Sequence, residues 1–176
     1  MAGASEILST YSPESMVIVL ANDKMSHTIS GYADGTFLNI TRQVPHATMY
    51  TGADLSNARV MRGNKGAIVT LTLHQTSESN DVLTALLDAD QASRDGTDCF
   101  SLTIKDTIGR SMYFCRTAYL GNSPDANFGL EIDTREWQIQ CIHLEQINGG
   151  NGKVLPSTQE ALEALGVDVE PRWQSQ

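Results

Sequence analysis

The chain has 176 residues, of which 40% are hydrophobic and 19% are charged. That length allows one packed domain, and the composition excludes an intrinsically disordered chain. The formal net charge is -9, the pI is near 4.7, and Lys and Arg do not cluster, which argues against tight binding to nucleic acid. The sequence shows neither a signal peptide nor the roughly 20 consecutive apolar residues of a membrane helix, so we expect a cytosolic protein without a membrane partner.

The N-terminal part of the chain predicts a β meander. Residues 15–21 form a β-branched apolar run, and residues 29–33 and 36–43 lie on either side of the turn signal Asp34-Gly35. Apolar and polar residues alternate in the third segment, so we expect one of its faces to be buried.

Residues 44–66 are rich in Pro, Gly, Asn, Thr and Met and have weak periodicity. Because a segment of this length is long for a plain connection in a compact domain, we predict a functional loop or a projecting hairpin. The clearest strand follows at residues 67–75, where apolar and uncharged polar residues alternate. A helix is predicted over residues 80–92, with Ser79 as its N-cap and one apolar face packed on the sheet.

The second half of the chain predicts further strands. Residues 99–106 and 110–120 are expected to form a hairpin, and residues 135–147 are expected to form a long last strand. The glycine-rich stretch at residues 148–152 is predicted to be a flexible joint.

The C-terminal residues have a different pattern. Ser157 and Glu160 have the spacing of a capping box that would begin a short helix. We therefore predict two parts, a β domain over residues 1–152 and a C-terminal extension with a short helix over residues 153–176.

No catalytic or cofactor motif is present. The sequence lacks GxSxG, HExxH, a P-loop and a GxGxxG that follows a strand, so we expect no enzyme activity and no cofactor. The four histidines lie in different segments without a second ligand at zinc spacing, so no metal site is expected; they are His27, His46, His74 and His143.

Two groups of side chains have structural explanations. Three cysteines without CxxC spacing lie among apolar neighbours and are predicted to be reduced core residues; they are Cys99, Cys115 and Cys141. An acidic cluster lacks the pattern of a calcium loop and is predicted to be a solvated turn with Arg135 as its internal partner; it consists of Glu131, Asp133 and Glu136.

Four stretches of the sequence carry a family resemblance. They are GYADGTF at residues 31–37, VTLTLHQTSESNDVL at 69–83, IKD at 104–106 with Gly109-Arg110, and TREW at 134–137 followed by NGGN at 148–151. In this set and in this order the chain resembles the tail tube proteins of contractile-tailed bacteriophages, in particular a short branch of about this length. The extension at residues 153–176 is longer than the family pattern.

The resemblance implies a mainly β fold, an antiparallel sandwich or barrel-like subunit with one flanking α-helix and a short C-terminal helix. It implies a virion structural protein whose homohexameric rings stack into the tube through which DNA passes during ejection. The implied partners are other copies of the chain, the tail sheath protein, the tape measure protein and DNA in transit. The expected location is the virion tail, after assembly in the host cytoplasm.

Three sets of residues are assigned to this function. The candidates for lining the lumen are Asn39, Thr41, Thr70, Thr72, His74, Gln138 and Gln140. The candidates for contact between stacked rings lie in the long loop and are His46, Met49, Tyr50, Leu55, Arg59, Met61 and Arg62. The predicted core consists of Val69, Leu71, Leu73, Val82, Leu86, Trp137, Ile139 and Cys141.

Two other classes of function stay open. A monomeric β-barrel carrier of a small apolar ligand would turn its polar strand faces outward and enclose an apolar cavity. A hydrolase would need an activity that disappears when one histidine is mutated. Size-exclusion chromatography with negative-stain imaging separates rings or tubes from a monomeric carrier.

Overall fold

A computed structural model describes residues 7–175 of the chain. Met1–Glu6 and Gln176, which the two predicted domains include, lie outside these described residues. The described residues divide into two compact units: unit 1 contains residues up to 17, 105–112 and those from 147 onward, and unit 2 contains residues 18–104 and 113–146. The predicted boundary after residue 152 stays a prediction.

The described chain contains ten strands and two α-helices. In chain order they are β1 Met16–Ala21, β2 Ser26–Thr28, β3 Leu38–Arg42, β4 Ala47–Thr51, β5 Asn57–Met61, β6 Ala67–His74, α1 Ser79–Ser93, β7 Phe100–Asp106, β8 Met112–Leu120, β9 Thr134–Cys141, β10 Leu144–Ile147 and α2 Pro156–Ala164. Short 3-10 helices lie at Pro13–Ser15 and Pro171–Trp173. None of the helices in this part of the chain has the length and apolar character that a membrane span requires.

The strands form one large sheet and one small one. The large sheet has the order β2-β1-β7-β8-β9-β6-β3, and β10 also pairs with β8. The pairs β1–β2, β3–β6, β6–β9 and β8–β9 are antiparallel, and β4 and β5 pair only with each other within residues 7–175. This arrangement, with α1 and α2, confirms the predicted mainly β fold.

The core lies on one face of the large sheet, under α1. Along β6 every second residue is buried, as period-two alternation predicts. Leu83, Leu86 and Leu87 of α1 are at most 7% exposed. Of the predicted core residues, Val82 is half-buried, whereas the others are buried, and Trp137 is the largest of them.

The start of α1 differs from the prediction. The helix begins at Ser79 itself, and the N-cap position is Glu78 without a side-chain capping bond. Ser79 is fully buried, and its hydroxyl accepts a hydrogen bond from the N–H of Ser30 at 2.9 Å and lies 2.8 Å from Nε2 of His27. The prediction of Ser79 as a cap was wrong because its hydroxyl holds the segment before β3 instead.

Two predicted strands also differ. Residues 29–33 contain only the single bridge between Tyr32 and Leu73, because Gly31 has φ of +73° and interrupts an extended conformation. The long last strand is divided into β9 and β10, since Ile142 and His143 are both exposed between buried residues. Two consecutive exposed residues break the period of two that a continuous half-buried strand requires.

Helix α2 ends in a glycine motif, and its start differs from the prediction. Gly166 has φ of +79°, and its N–H donates to the carbonyl of Glu163 at 2.9 Å while Val167 N–H donates to that of Leu162 at 2.9 Å. This is the Schellman arrangement of a helix C-terminus. The predicted capping box is absent, because the N-cap residue is Leu155 and no side chain bonds there.

Candidate assembly surfaces

The seven residues predicted to line a lumen lie on one face of three adjacent strands, β3, β6 and β9. Cross-strand pairing places Asn39 beside Thr70 and Thr70 beside Gln138. Residues directly paired across antiparallel strands point to the same side of the sheet, and so do alternate residues along each strand. The face therefore carries the whole set, which we call the polar sheet face: Asn39, Thr41, Thr70, Thr72, His74, Gln138 and Gln140.

The register adds four residues that the sequence analysis missed. Ile68 pairs with Thr41 and with Gln140, and Gln140 also pairs with Tyr119 of β8. Thr134 and Glu136 of β9 pair with polar residues of β6. The parity of the strands could have found Thr134, Glu136 and Ile68, but the position of Tyr119 depends on pairing between β8 and β9, which the sequence does not specify.

The polar sheet face is neutral to acidic. Within β3, β6 and β9, all of them described, it holds the carboxylate of Glu136 and the imidazole of His74 but no Lys or Arg. Arg42 and Arg135 belong to the opposite face, where their direct partners are the buried residues Ala67 and Leu73. The side chain of Arg42 donates from Nη1 to two backbone carbonyls, at 2.7 and 2.9 Å.

The opposite face is joined to α1 by a partly buried chain of two hydrogen bonds. The indole N–H of Trp137 donates to Oδ1 of Asn80 at 2.9 Å, and Nδ2 of the same Asn80 donates to the carbonyl of His74 at 2.8 Å. One asparagine thus joins β9, β6 and the first turn of α1. Because Trp137 is 2% exposed, its N–H would be unsatisfied without this partner.

The loop before β3 also approaches the sheet closely. The carbonyl of Gly31 accepts a hydrogen bond from the N–H of His74 at 2.9 Å. A Cβ atom on Gly31 would lie 2.6 Å from Cβ of Ser77, so only glycine fits both this contact and the positive φ. Tyr32 and Phe37 stack with ring centroids 4.6 Å apart, and this contact joins the two ends of the turn over residues 33–36.

Arg135 has different partners from those predicted. Its guanidinium lies over the ring of Phe128, 5.1 Å from the centroid, and donates to the carbonyls of Thr134 and Asn127. The prediction that it pairs with the acidic cluster was wrong, because a cation–π contact and backbone carbonyls occupy the guanidinium. Phe128 itself is 82% exposed.

The long loop forms a hairpin whose side chains lie in solvent. All seven predicted ring-stacking residues belong to the β4–β5 segment or its base, and Arg62 N–H donates to the carbonyl of His46 at 2.7 Å where the hairpin begins. Every residue of β5 is exposed. The large apolar side chains exposed here are Met49, Tyr50, Leu55, Val60 and Met61.

The tip of this hairpin holds a leucine in an unfavourable conformation. Leu55 has φ of 65°, a left-handed value that costs a non-glycine residue about 1 kcal/mol or more, and its side chain is 79% exposed. Asp54 supports the turn, since Oδ1 accepts from the hydroxyl and the N–H of Ser56, and these bonds lower the pKa of Asp54. A strained, exposed leucine on a supported turn is typical of a contact residue.

Unit 1 has its own buried carboxylate. Asp106 is 3% exposed and accepts hydrogen bonds from the hydroxyl of Ser15 at 2.7 Å, from Nδ2 of Asn151 at 2.5 Å and from the N–H of Ile108 at 3.1 Å. Burial alone would raise the pKa of Asp106, but these bonds outweigh it and lower the pKa. The predicted flexible joint at residues 148–152 is thus tied to the β7–β8 turn.

The three cysteines are free thiols, and two of them are buried. These two are Cys115 and Cys141, whereas Cys99 is half-buried, and burial beside Cys115 raises the pKa of Cys141 to about 12. No group of three or more His, Cys, Asp or Glu side chains between residues 7 and 175 is arranged to hold a metal ion.

Three features of the described residues are typical of a structural subunit that assembles with other chains: a polar sheet face without Lys or Arg, an edge strand that is paired on one side alone, and an exposed apolar hairpin. The comparisons with known proteins agree with this class. The family described as "Bacteriophage PhiTE tail tube protein" matches residues 9–149, and the chain belongs to that family.

Individual relatives support the assignment. The chain is 41% identical over 175 residues to "Structural protein ORF10" of Pseudomonas phage KPP10, covering 98% of this chain and 99% of that protein. This protein is therefore a phage structural protein of the tail tube family. Its resemblance to tail tube proteins, inferred from four sequence stretches, is confirmed.

Two solved structures share the fold at low identity. One is the anti-feeding prophage cap (AFP tube terminating cap), with a TM-score of 0.53, 12% identity and coverage of 84% of this chain and 99% of that one. The other is the sheath/tube terminator of an extracellular contractile injection system, PVC, in its extended state, with a TM-score of 0.51, 11% identity and coverage of 79% and 97%.

Proposed function

We propose that six copies of this chain form a ring, that rings stack into the phage tail tube, and that the polar sheet face lines the bore through which DNA passes. The observation that carries the proposal is the polar sheet face itself, which is neutral to acidic across three adjacent strands and has a packed core behind it. A sheet that has a core on one side and water on the other is expected to carry polar side chains on its water-facing side.

The charge of the chain suits a passage for DNA. Each copy carries a formal charge of -9, and the polar sheet face adds no Lys or Arg that would hold a phosphate. DNA in such a bore meets neutrality or repulsion and few sites where it would be retained. The proposed role is thus that of a conduit and not of an enzyme.

Ring closure would use the free edge of β3. Thr72 N–H donates to the carbonyl of Phe37, and Gln43 N–H donates to that of Gly66, so by alternation Asn39 and Thr41 also bond toward β6. The backbone groups of Leu38 and Ile40 then point away from β6, where the sheet ends. A strand of the next copy that pairs there would remove an exposed edge and extend the sheet around the ring.

The β4–β5 hairpin would join one ring to the next. The large sheet does not cover its exposed apolar residues, since β4 and β5 pair only with each other in the described chain. The proposed partner outside the tube is a contractile sheath, and the proposed partner inside it is the tape measure protein. The fold that the chain shares with terminators of contractile systems supports the sheath as a partner. The assembled protein would reside in the virion tail after assembly in the host cytoplasm.

The first test images the purified protein by negative stain after size-exclusion chromatography. The expected result is six-membered rings or tubes, and cryo-electron microscopy should place Thr70 and Thr72 on the bore wall. A monomer with an enclosed apolar cavity would favour the carrier alternative instead. A bore lined with Lys and Arg would contradict the conduit.

The second test removes residues 46–63, which excises the hairpin at the His46–Arg62 base. The expected product is a folded subunit that still forms rings but no tubes, because the large sheet does not include β4 or β5. Tubes of normal length from this deletion would overturn the stacking role of the hairpin.

A further inference from the structure

The C-terminal extension presents an unusually exposed apolar surface in unit 1. No residue of α2 is buried, and in the turn after it Leu165 is 80% exposed and Val167 is 50% exposed. The family match ends at residue 149, so this surface lies beyond the part of the chain that defines the family. We call α2 and residues 165–170 the C-terminal surface.

A cavity of about 470 Å³ lies beside the C-terminal surface, entirely within unit 1. Part of its wall is apolar and is formed by Met112, Ile147, Leu162, Val167 and Val169. The rest is polar and includes Lys105, Arg110 and Arg172 as well as Asp168 and Glu170. A solvent-exposed, partly apolar cavity next to two exposed apolar side chains is typical of a place where a partner inserts a side chain.

The wall of the cavity is rigidly supported. The guanidinium of Arg110 lies 5.0 Å from the centroid of the Trp173 ring and donates to the carbonyl of Gly152 at 2.5 Å. Val154 and Gln174 form a parallel bridge, which ties the two ends of the extension together. These contacts order one wall of the cavity and the two ends of the extension before any partner arrives, and a site that is already ordered lowers the entropic cost of docking.

The C-terminal surface and the hairpin have opposite charges. In the C-terminal surface Glu160, Glu163 and Asp168 are exposed, and Glu170 forms a salt bridge of 2.7 Å with Arg172. Residues 44–66 of the hairpin segment contain three cations and a single acid, in a chain whose net charge is -9; they are Arg59, Arg62, Lys65 and Asp54. The apolar side chains of the hairpin lie among these cations, as those of the C-terminal surface lie among its acids.

We propose that the β4–β5 hairpin of one copy docks on the C-terminal surface of a second copy in the neighbouring ring, with an apolar hairpin side chain in the cavity. The proposal rests on the stacked rings of the proposed function and names the surface that the hairpin meets. Since the two contacting surfaces differ, the contact is heterologous, and a heterologous contact can repeat from ring to ring without closing, as a tube requires.

Charge reversal tests the contact from both sides. One variant carries Arg59→Glu with Arg62→Glu, and the other carries Glu163→Arg with Asp168→Arg. Each should form rings but reduce the fraction of protein in tubes at least about tenfold, because like charges would meet at every stacking contact. Combining all four substitutions should restore tubes, since the charges are opposite again.

A matched control reverses two exposed acids elsewhere, with Asp88→Arg and Glu145→Arg, and should form tubes as the original protein does. Far-UV circular dichroism and ring formation establish that each variant folds, and sedimentation with negative stain measures the tubes.

The outcomes separate this inference from the proposed function. If the unmodified protein forms no rings, the proposed function fails and this inference with it. If the hairpin deletion abolishes tubes but Glu163→Arg with Asp168→Arg does not, only the docking surface is wrong. If the fourfold variant does not recover tubes, the docking surface is also wrong. If either charge variant dissociates into monomers, the contact lies within a ring and the stacking arrangement is wrong.

Discussion

Strands β6 and β5 differ in how far the rest of the chain covers their side chains. Buried and half-buried residues alternate along all eight residues of β6, whereas all five residues of β5 are exposed. The apolar side chains on the core face of β6 are 0–1% exposed because α1 and the neighbouring strands cover them, but Val60 and Met61 of β5 are 48% and 58% exposed. Burial of apolar surface drives both folding and association, so β6 stabilises the subunit, whereas β5 keeps apolar surface that the described chain does not cover.

The largest expected effect is the loss of the Trp137 side chain behind the polar sheet face. Trp137→Ala should lower the free energy of unfolding by about 3–5 kcal/mol, because it opens a large cavity in the core and removes the partner of Asn80. Urea unfolding followed by far-UV circular dichroism measures this loss of free energy.

Val60→Ala in the hairpin is the matched comparison and should change the same quantity by no more than about 0.5 kcal/mol. Equal losses for the two variants would mean that the hairpin contributes to the fold of the subunit, and the distinction between the two regions would fail.

Gly31 tests a smaller contribution to the free energy of unfolding, from the loop that bonds to β6. Gly31→Ala should cost about 1–3 kcal/mol, because a left-handed φ of +73° disfavours alanine and the new Cβ would lie 2.6 Å from Cβ of Ser77. Gly129→Ala is the control, since nothing lies within 4 Å of a Cβ atom there, and it should leave the urea midpoint nearly unchanged. A midpoint for Gly31→Ala that matches the control would show that the loop before β3 adapts without loss.

The sequence predicts the polar sheet face better than it predicts the contacts around it. Period-two alternation placed Thr70 and Gln138 on a polar side correctly, because alternation is a property of the strand itself. It gave no information about Tyr119, whose position depends on which strands pair, and it misassigned Ser79, whose hydroxyl bonds to Ser30 at 2.9 Å. Local patterns therefore specify the faces, but contacts between residues distant in sequence depend on the whole fold.

The hairpin itself should show the smallest effect on stability and a strong effect on assembly. Met49 and Met61 lie on the same face of the hairpin, because Met61 pairs with Ala47 and Met49 with Arg59. Met49→Ser combined with Met61→Ser should change the free energy of unfolding by no more than about 0.5 kcal/mol, since both side chains are more than half exposed at 79% and 58%.

The same double variant should raise the protein concentration at which tubes appear by at least about tenfold, because burial of one methionine contributes about 1.5–3 kcal/mol and 1.4 kcal/mol is a factor of ten. Sedimentation over a concentration series measures that threshold. Val69→Ser in β6 should behave in the opposite way, since Val69 is 1% exposed, and destabilise the subunit before assembly begins. If the double methionine variant forms tubes at the original concentration, the exposed face of the hairpin is not buried in the tube, and its apolar side chains need another explanation.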